Sequence, residues 1–496
     1  MAPTADTRSL PPGVERALPP GVDRSLPLDA LRGLAILLMV FSGRIPFGVL
    51  PDWMYHAQVP PPAHIFNPAI PGITWVDLVF PFFLFSMGAA IPLALKARLD
   101  RGDALSSICL TILKRGVLLV FFAIYVKHIQ PHVMSAQPGA QEWLLALAGF
   151  VLLFPMLATL PATLSVATKR SLRLLGWVGA FAVLAAFRAK DGSGFSVTRS
   201  DIIILVLANV AVSGSLIWLA TRHKLDWRLG ILTFLFALRL GQSLPGWGQW
   251  LWNLSPIPWI GTVYFQQYLF IIIPGTIAGD LLLRWRAQAQ PAVTIKQWSV
   301  AALGVIMSVL LLVGMQMRWV VPTTVAAMLL AALGWWILGG RGPGGRGSGG
   351  RTSNSEESDG GKLLRQLFGW GIFWLALGLA FEPYEGGIKK DRATMSYYFV
   401  TSGLAFMLLV SLMIAIDLGR IRRGVGLLIA TGQNPLVAYA GVQSLVPPIL
   451  GMTGLSSVIE KITATPWLGA LRGAFYTWLV ATVGAFLARR GILLKT

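Results

Sequence analysis

The sequence predicts an all-α fold, a polytopic transmembrane helical bundle with both termini cytoplasmic, and three observations predict it. Apolar residues make up 55% of the 496 residues and charged residues 12%, a balance foreign to a water-soluble domain of this length. Roughly fourteen apolar stretches, with twelve as the alternative, each approach the length that a bilayer requires. Basic residues also recur in every second connection, at Lys96 to Arg115, Lys169 to Arg173, Arg222 to Arg228, Arg284 to Lys296, the linker 339–362, Arg420 to Arg423 and Arg489 to Lys495, while two opposite-side connections, with Arg188, Lys190 and Arg199 and with Lys389, Lys390 and Arg392, depart from the pattern. The positive-inside rule assigns the recurring basic connections to the cytoplasm. This placement also accounts for the net charge of +20 without nucleic acid, which is not expected as a partner. The single cysteine, Cys109, excludes an intrachain disulfide framework. With five histidines it leaves little room for a Cys/His zinc site, and no metal is expected.

In chain order, residues 1–27 carry an imperfect repeat, RSLPPGVE, RALPPGVD and RSLPLDAL. Its proline pairs forbid a continuous helix and it lacks a signal-peptide pattern, so a disordered cytoplasmic leader is expected. The first span, Leu28 to Gly43, opens LDALRG and is apolar after Arg32. Arg44 to Gly72 holds seven prolines and reads as an irregular extracytoplasmic loop. With Trp53, Met54, Tyr55, Ile65 and Phe66 it is apolar enough to fold back into the protein interior near the membrane surface. Further spans follow to Ala488; Leu172–Phe187 and Leu229–Leu244 are short, and Trp247–Ile260 is ambiguous. The Gly/Ser-rich run 339–362 is expected to be a cytoplasmic linker tethering two bundles, residues 28–338 before it and 363–496 after it.

Two spans carry interruptions. Pro274-Gly275 is expected to bend or break the helix in YLFIIIPGTIAGD, with Asp280 near its cytoplasmic end. In GQNPLVAYAG, Asn434 suits an N-cap and Pro435 a first helical residue. A helix starting inside the membrane offers N–H groups to a phosphate or carboxylate; a proline kink satisfied by neighbouring helices is the other reading. The most unusual residue is Asp77, at the mouth of the apolar run TWVDLVFPFFLFSMG. A carboxylate carried to a helix centre costs roughly 2.5–3.5 kcal/mol. Asp77 is therefore expected to face a polar interior, or else to stay hydrated near the headgroups.

The order LDALRG, a first helix, a His-containing loop and then GITWVDLVFPFFLFSMG resembles the transmembrane N-acetyltransferases typified by heparan-alpha-glucosaminide N-acetyltransferase, and their bacterial relatives more closely. HAQVPPPAHIFNPAIPGITWVDLVFPFF, YLFIIIPGTIAGD, GGIKKDRATMSYYFVTSGLA and GQNPLVAYAG look like signatures of the bacterial group. The resemblance is specific over Leu28 to Leu95, thin from Leu105 to Gly261, and more distant toward acyltransferase-3 proteins. It implies transfer of an acetyl group from cytoplasmic acetyl-CoA, as co-substrate, to an amino sugar or other glycan acceptor on the far side, in a bacterial cytoplasmic membrane.

The same resemblance implies a catalytic histidine as acyl carrier or general base, a role that imidazole suits because it titrates near neutrality. The family's His-Ala pair matches His56-Ala57; His64 lies nearer the Gly72, Thr74, Asp77 run but lacks the alanine. His56 is favoured, His64 stays open, and Asp77 is expected within reach of one of them, orienting or charging the ring. The family's functional Asn at the end of the first helix is replaced by Gly43, beside Ser42. Asp29 and Arg32 form either a helix-start ion pair or a contact for the CoA phosphates. Lys114, Arg115 and Asn434 complete the expected cofactor-side residues, and Trp53, Lys389, Lys390 and Asp391 the acceptor-side ones. Membrane lipid is an expected partner and homodimerisation stays open. A transporter or flippase of a saccharide-type amphiphile is the competing class.

Overall fold

The computed structural model describes residues 25–48, 50–256, 261–285, 293–339, 359–422 and 424–495. Most of the expected leader and of the Gly/Ser-rich linker lies outside them. The helices are α1 (Leu26–Ser42), α2 (Trp75–Asp100), α3 (Leu105–His128), α4 (Pro131–Met134), α5 (Ala140–Leu157), α6 (Val166–Ala186) and α7 (Ile202–Thr221). They continue with α8 (Leu225–Leu240), α9 (Trp247–Trp252), α10 (Leu269–Trp285), α11 (Ile295–Gln316), α12 (Val320–Ile337), α13 (Asp359–Ala380) and α14 (Met395–Met413). The last are α15 (Gly426–Gln433), α16 (Pro435–Ser444), α17 (Val446–Met452), α18 (Leu455–Ile462) and α19 (Pro466–Arg489). Among the described residues the only β-pairing is an isolated bridge between Ala158 and Leu494.

Among the described residues, eleven helical stretches are long and apolar enough to cross a bilayer, and the chain is an integral-membrane helical bundle. Every apolar stretch expected from the sequence is helical. However, α1 and α8 have only 17 and 16 residues, and α6 carries Lys169, Arg170 and Arg173 in its first turns, so these three stand outside the eleven. The ambiguous Trp-rich piece contributes only the short α9.

Helices α2 and α14 are innermost, with 83% of their apolar windows buried, against 22% for α12. A helix that is apolar all round belongs in such a position. Helix α14, from beyond the expected linker, packs on α2, α10, α11 and α13, so a single core joins the helices on both sides of that linker. Close approach depends on glycine at two crossings. A Cβ on Gly275 of α10 would strike the Phe85 carbonyl of α2, and one on Gly432 of α15 the Asp29 carbonyl of α1. Small residues at such crossings let membrane helices approach backbone to backbone. Helix α10 runs unbroken through Pro274-Gly275, whereas the chain does break at Asn434, between α15 and α16.

Candidate active site

The local structure around Asp77 begins with a helix cap. Thr74, in extended conformation, precedes α2; its hydroxyl accepts the Val76 N–H, and Asp77 accepts the Thr74 N–H at 2.9 Å. This reciprocal arrangement satisfies donors that a helix start leaves orphaned. Asp77 Oδ2 also accepts the Ala57 N–H at 3.2 Å, fastening the proline-rich loop to the start of α2. Oδ1 is buried and makes no hydrogen bond of good geometry. Its cationic and imidazole neighbours are His56 Nε2 at 3.3 Å and Lys390 Nζ at 3.8 Å. The Asp77 carbonyl accepts from the Tyr397 hydroxyl of α14 at 2.8 Å.

His56 therefore stands against Asp77, and a third segment closes on it: His56 Nε2 lies 2.8 Å from Asp391 Oδ2. The Gln58 N–H, which can only donate, is directed at His56 Nδ1 at 3.0 Å. A neutral ring in this environment carries its hydrogen on Nε2, facing the two carboxylates. Burial pushes the Asp391 carboxyl up, but the hydrogen bond from His56 and the Lys390 charge outweigh it, leaving the group below its ordinary value. His64 is placed differently. Its Nε2 lies 3.2 Å from the Gly48 carbonyl, its ring packs between Phe47 and Tyr55, and its backbone is left-handed, with φ 49°. It builds the loop and has no contact with Asp77.

The segment bearing Lys390 and Asp391 is anchored by residues that the sequence reading did not single out. Arg239 of α8 reaches Glu385 Oε1 and Gln267 Oε1, each at 2.6 Å, and the Ala393 carbonyl at 2.7 Å. Arg318 pairs with buried Glu382 at 2.7 Å. The Gly72 N–H donates to the Ile388 carbonyl at 2.7 Å, joining this segment to the loop that carries His56. Of the other expected acceptor-side residues, Lys389 is half-buried beside this cluster, and Trp53 is 52% exposed and belongs to none of the buried apolar clusters. Ser42 donates its hydroxyl to its own helix at Met39. A side chain on Gly43 would meet nothing closer than 3.7 Å.

At the other end of α2, a cavity of about 440 Å³ is lined by Arg32, Arg98, Arg115 and Lys495 at its polar part and by Phe83, Met87, Leu207 and Leu436 deeper in. Asp29 and Arg32 do form an ion pair at 3.3 Å, and Arg32 also reaches the carbonyls of Gly432 and Ser86. Lys114 lines a separate cavity with Arg173 and Trp177. Asn434 corrects the expectation attached to it. Its side chain is fully buried and spent on the Ile492 carbonyl and the Leu494 N–H, both at 3.0 Å, so it neither caps α16 nor is available to a ligand. Among the described residues, no group of three or more His, Cys, Asp and Glu is set to hold a metal ion.

Comparison with known proteins agrees with this architecture. Heparan-alpha-glucosaminide N-acetyltransferase of Mus musculus is 31% identical to the chain over 99 residues, covering 20% of this chain and 13% of the mouse protein. The Homo sapiens protein of the same name is 35% identical over 100 residues, covering the same shares. The matched part thus spans a small fraction of either relative. The family model described as a domain of unknown function, DUF5009, matches residues 24–282. That is just over half of the 496 residues, and the chain belongs to this family.

Proposed function

We propose that the protein is a membrane acyltransferase that moves an acetyl or other acyl group from cytoplasmic acyl-CoA to an amino sugar or other glycan acceptor on the extracytoplasmic side. The observation that carries this reading is His56, held between Asp77 and Asp391 at the opposite end of α2 from the basic cavity. At 1.5 Å per residue, Asp77 and Arg98 are about 32 Å apart along α2, close to a hydrocarbon thickness. The cavity follows α2 from Arg98 to Phe83, about 22 Å, leaving about 9 Å to Asp77. A separate small void of about 10 Å³, lined by Met39, Phe80 and Tyr439, adjoins it and shares Phe83 and Leu436 with its wall. Guanidinium groups at the mouth suit phosphates, and the apolar walls suit an extended thioester arm.

In the transfer, the acceptor nitrogen attacks the thioester carbonyl, the C–N bond forms, and the C–S bond breaks with the CoA thiolate leaving. The acceptor nitrogen gives up a proton and the thiolate takes one. With Nε2–H anchored on the carboxylates, the basic lone pair of His56 is on Nδ1. It becomes available when the acceptor displaces the Gln58 N–H, and the imidazolium that results is stabilised by Asp77 and Asp391. Lys390 and Lys389 flank the acceptor's approach.

The test is transfer of labelled acetyl from acetyl-CoA to hexosamines by the purified protein. Transfer by the wild type that is lost in His56→Ala supports the reading. No transfer by the wild type, or full transfer after both His56→Ala and His64→Ala, overturns it.

A further inference from the structure

Helix α8 carries a buried arginine at each end. Arg228 and Arg239 are about three turns apart and so share one face of the helix, and they are 1% and 6% exposed. Each has a carboxylate: Arg228 lies 2.8 Å from Asp280 and Arg239 2.6 Å from Glu385. Arg228 joins helix to helix, since Asp280 and Thr276 belong to α10 and Thr221 to α7. Arg239 reaches into a connection instead.

That connection, between α13 and α14, is clasped at its base. Glu385 Oε1 accepts from Arg239 Nη2, and its Oε2 accepts the Met395 N–H at 2.6 Å, so one carboxylate ties the start of the segment to the first residue of α14. The same Nη2 donates to the Ala393 carbonyl at 2.7 Å, and Nη1 donates to Gln267 at 2.6 Å. Within the clasp the Thr394 N–H donates to the Lys389 carbonyl and the Lys389 N–H to the Thr394 hydroxyl, both at 3.1 Å. What remains is a short turn with Asp391 on it, two residues from the carbonyl that Arg239 holds and 2.8 Å from His56 Nε2.

Packing cannot place this turn, because Ile388 is the one large apolar side chain between Glu385 and Met395. The bond from Gly72 to the Ile388 carbonyl fixes the arm before Asp391, and the arm after it depends on Arg239. A buried ion pair is weak evidence for stability, since apolar residues of the same volume often serve as well. What a guanidinium supplies and an apolar side chain does not is a rigid fork that holds a carboxylate, an amide and a carbonyl in one geometry.

We propose that Arg239 is a positioning residue for the transfer: by holding Glu385 and the Ala393 carbonyl it sets Asp391 against His56, and its effect on the reaction passes through Asp391. This assignment rests on the acyl-transfer reading of His56. Arg239→Lys keeps the charge but not the fork, so it frees the arm after Asp391 while leaving a cation for Glu385.

The test is a double-variant cycle on the detergent-purified full-length protein, with kcat and the KM for acetyl-CoA measured for Arg239→Lys, Asp391→Asn and the two combined. Each single variant lowers kcat about tenfold, the loss of one charge-assisted contact to the imidazolium, at an unchanged KM. The combined variant is no worse than Asp391→Asn, because the contact that Arg239 sets is already gone. Losses that multiply overturn the proposal, as does an unchanged kcat in Arg239→Lys. Arg228→Lys, at the other end of α8, lowers the Tm and leaves kcat in place; an equal fall in kcat there would trace the effect to the stability of the bundle and overturn the proposal too.

A readout without turnover separates these outcomes from failure of the acyl-transfer reading: carbethoxylation of the histidines by diethylpyrocarbonate, followed by peptide mass spectrometry. With Asp391 displaced, His56 labels faster in Arg239→Lys than in the wild type, while His64 keeps its wild-type rate. If the wild type transfers no acetyl group, the acyl-transfer reading falls, and labelling alone decides whether Arg239 sets Asp391 against His56. Faster labelling at His56 supports that placement and an unchanged rate overturns it. If Arg239→Lys does not fold, Glu385→Gln, which keeps an acceptor for the Met395 N–H but no charge for Arg239, replaces it in both measurements.

Discussion

Asp77 serves two partners with its two oxygens. Oδ2 is saturated by the backbone of Thr74 and Ala57 and fixes the loop to α2, which leaves Oδ1 to His56 and Lys390. Replacing Asp77 by Asn therefore disturbs structure and site together, and it is a poor probe of chemistry. His56 is the better one: His56→Ala is expected to lower transfer about 100-fold or more, the range of a lost acid–base group. His64→Ala should leave kcat within about threefold, because truncating a side chain outside the reacting geometry acts mainly through stability. Steady-state assays of the two variants distinguish these outcomes.

Asp391 adds a pH dependence. Its folded value lies below the ordinary 3.8, so its contribution to holding the loop is complete above that pH and is lost as pH falls through the lower folded value. Hydrogen exchange of residues 386–394 should show protection persisting through mild acid and disappearing only below that range, and Asp391→Asn should remove this limb. The pairing of His56 with Asp77 was legible through the family resemblance, whose His-Ala pair matches His56-Ala57, since nearness in sequence alone would have favoured His64. The Thr74-to-Asp77 spacing is a capping-box signal, which explains the anomaly that the hydropathy pattern raised. Gln58 fixes the ring through its backbone, so its side-chain identity announces nothing. Arg239 finds Glu385 across 146 positions, a separation that no local pattern encodes.

At the scale of elements, the two interruptions behaved differently for a physical reason. Pro274 precedes a glycine whose missing Cβ lets α10 lie against the Phe85 carbonyl, and packing against α2 holds the helix together across it. Gly275→Val should therefore be strongly destabilising. An overpacked core costs about 1–3 kcal/mol, and this clash is with backbone, which cannot repack. A fall in Tm of the detergent-purified variant checks it, with Gly241→Ala, whose added Cβ would meet open space, as the tolerated comparison. Asn434 was correctly read as a place where a helix begins. Its side chain was assigned to a ligand because the partner that takes it lies near the far end of the chain, out of reach of any motif.

For the whole molecule, the helices bear on the count of apolar stretches, and the alternation of charge bears on which side each connection faces. Every stretch is helical, but length and charge remove α1, α6 and α8 from the set that crosses by those criteria alone. The charge rhythm makes a prediction of its own: the loop after α1 and the Gly/Ser-rich run face opposite sides. In a Cys109→Ser background, a membrane-impermeant maleimide applied to intact spheroplasts should label Phe66→Cys and not Ser348→Cys. Labelling of Ser348→Cys alone would invert the topology and place His56 on the CoA side.

The segment after α19 has a consequence for how the protein is made. Leu493 and Lys495 bond to Thr159 and Leu157, Leu494 pairs with Asn434, and Leu494 and Lys495 line the basic cavity. The helices that form the rest of that cavity are synthesised and inserted far earlier than residues 493–495. Until these residues dock, the cavity stays unfinished and the break at Asn434 lacks its partners, so a variant truncated before them would keep its helices but have an open mouth.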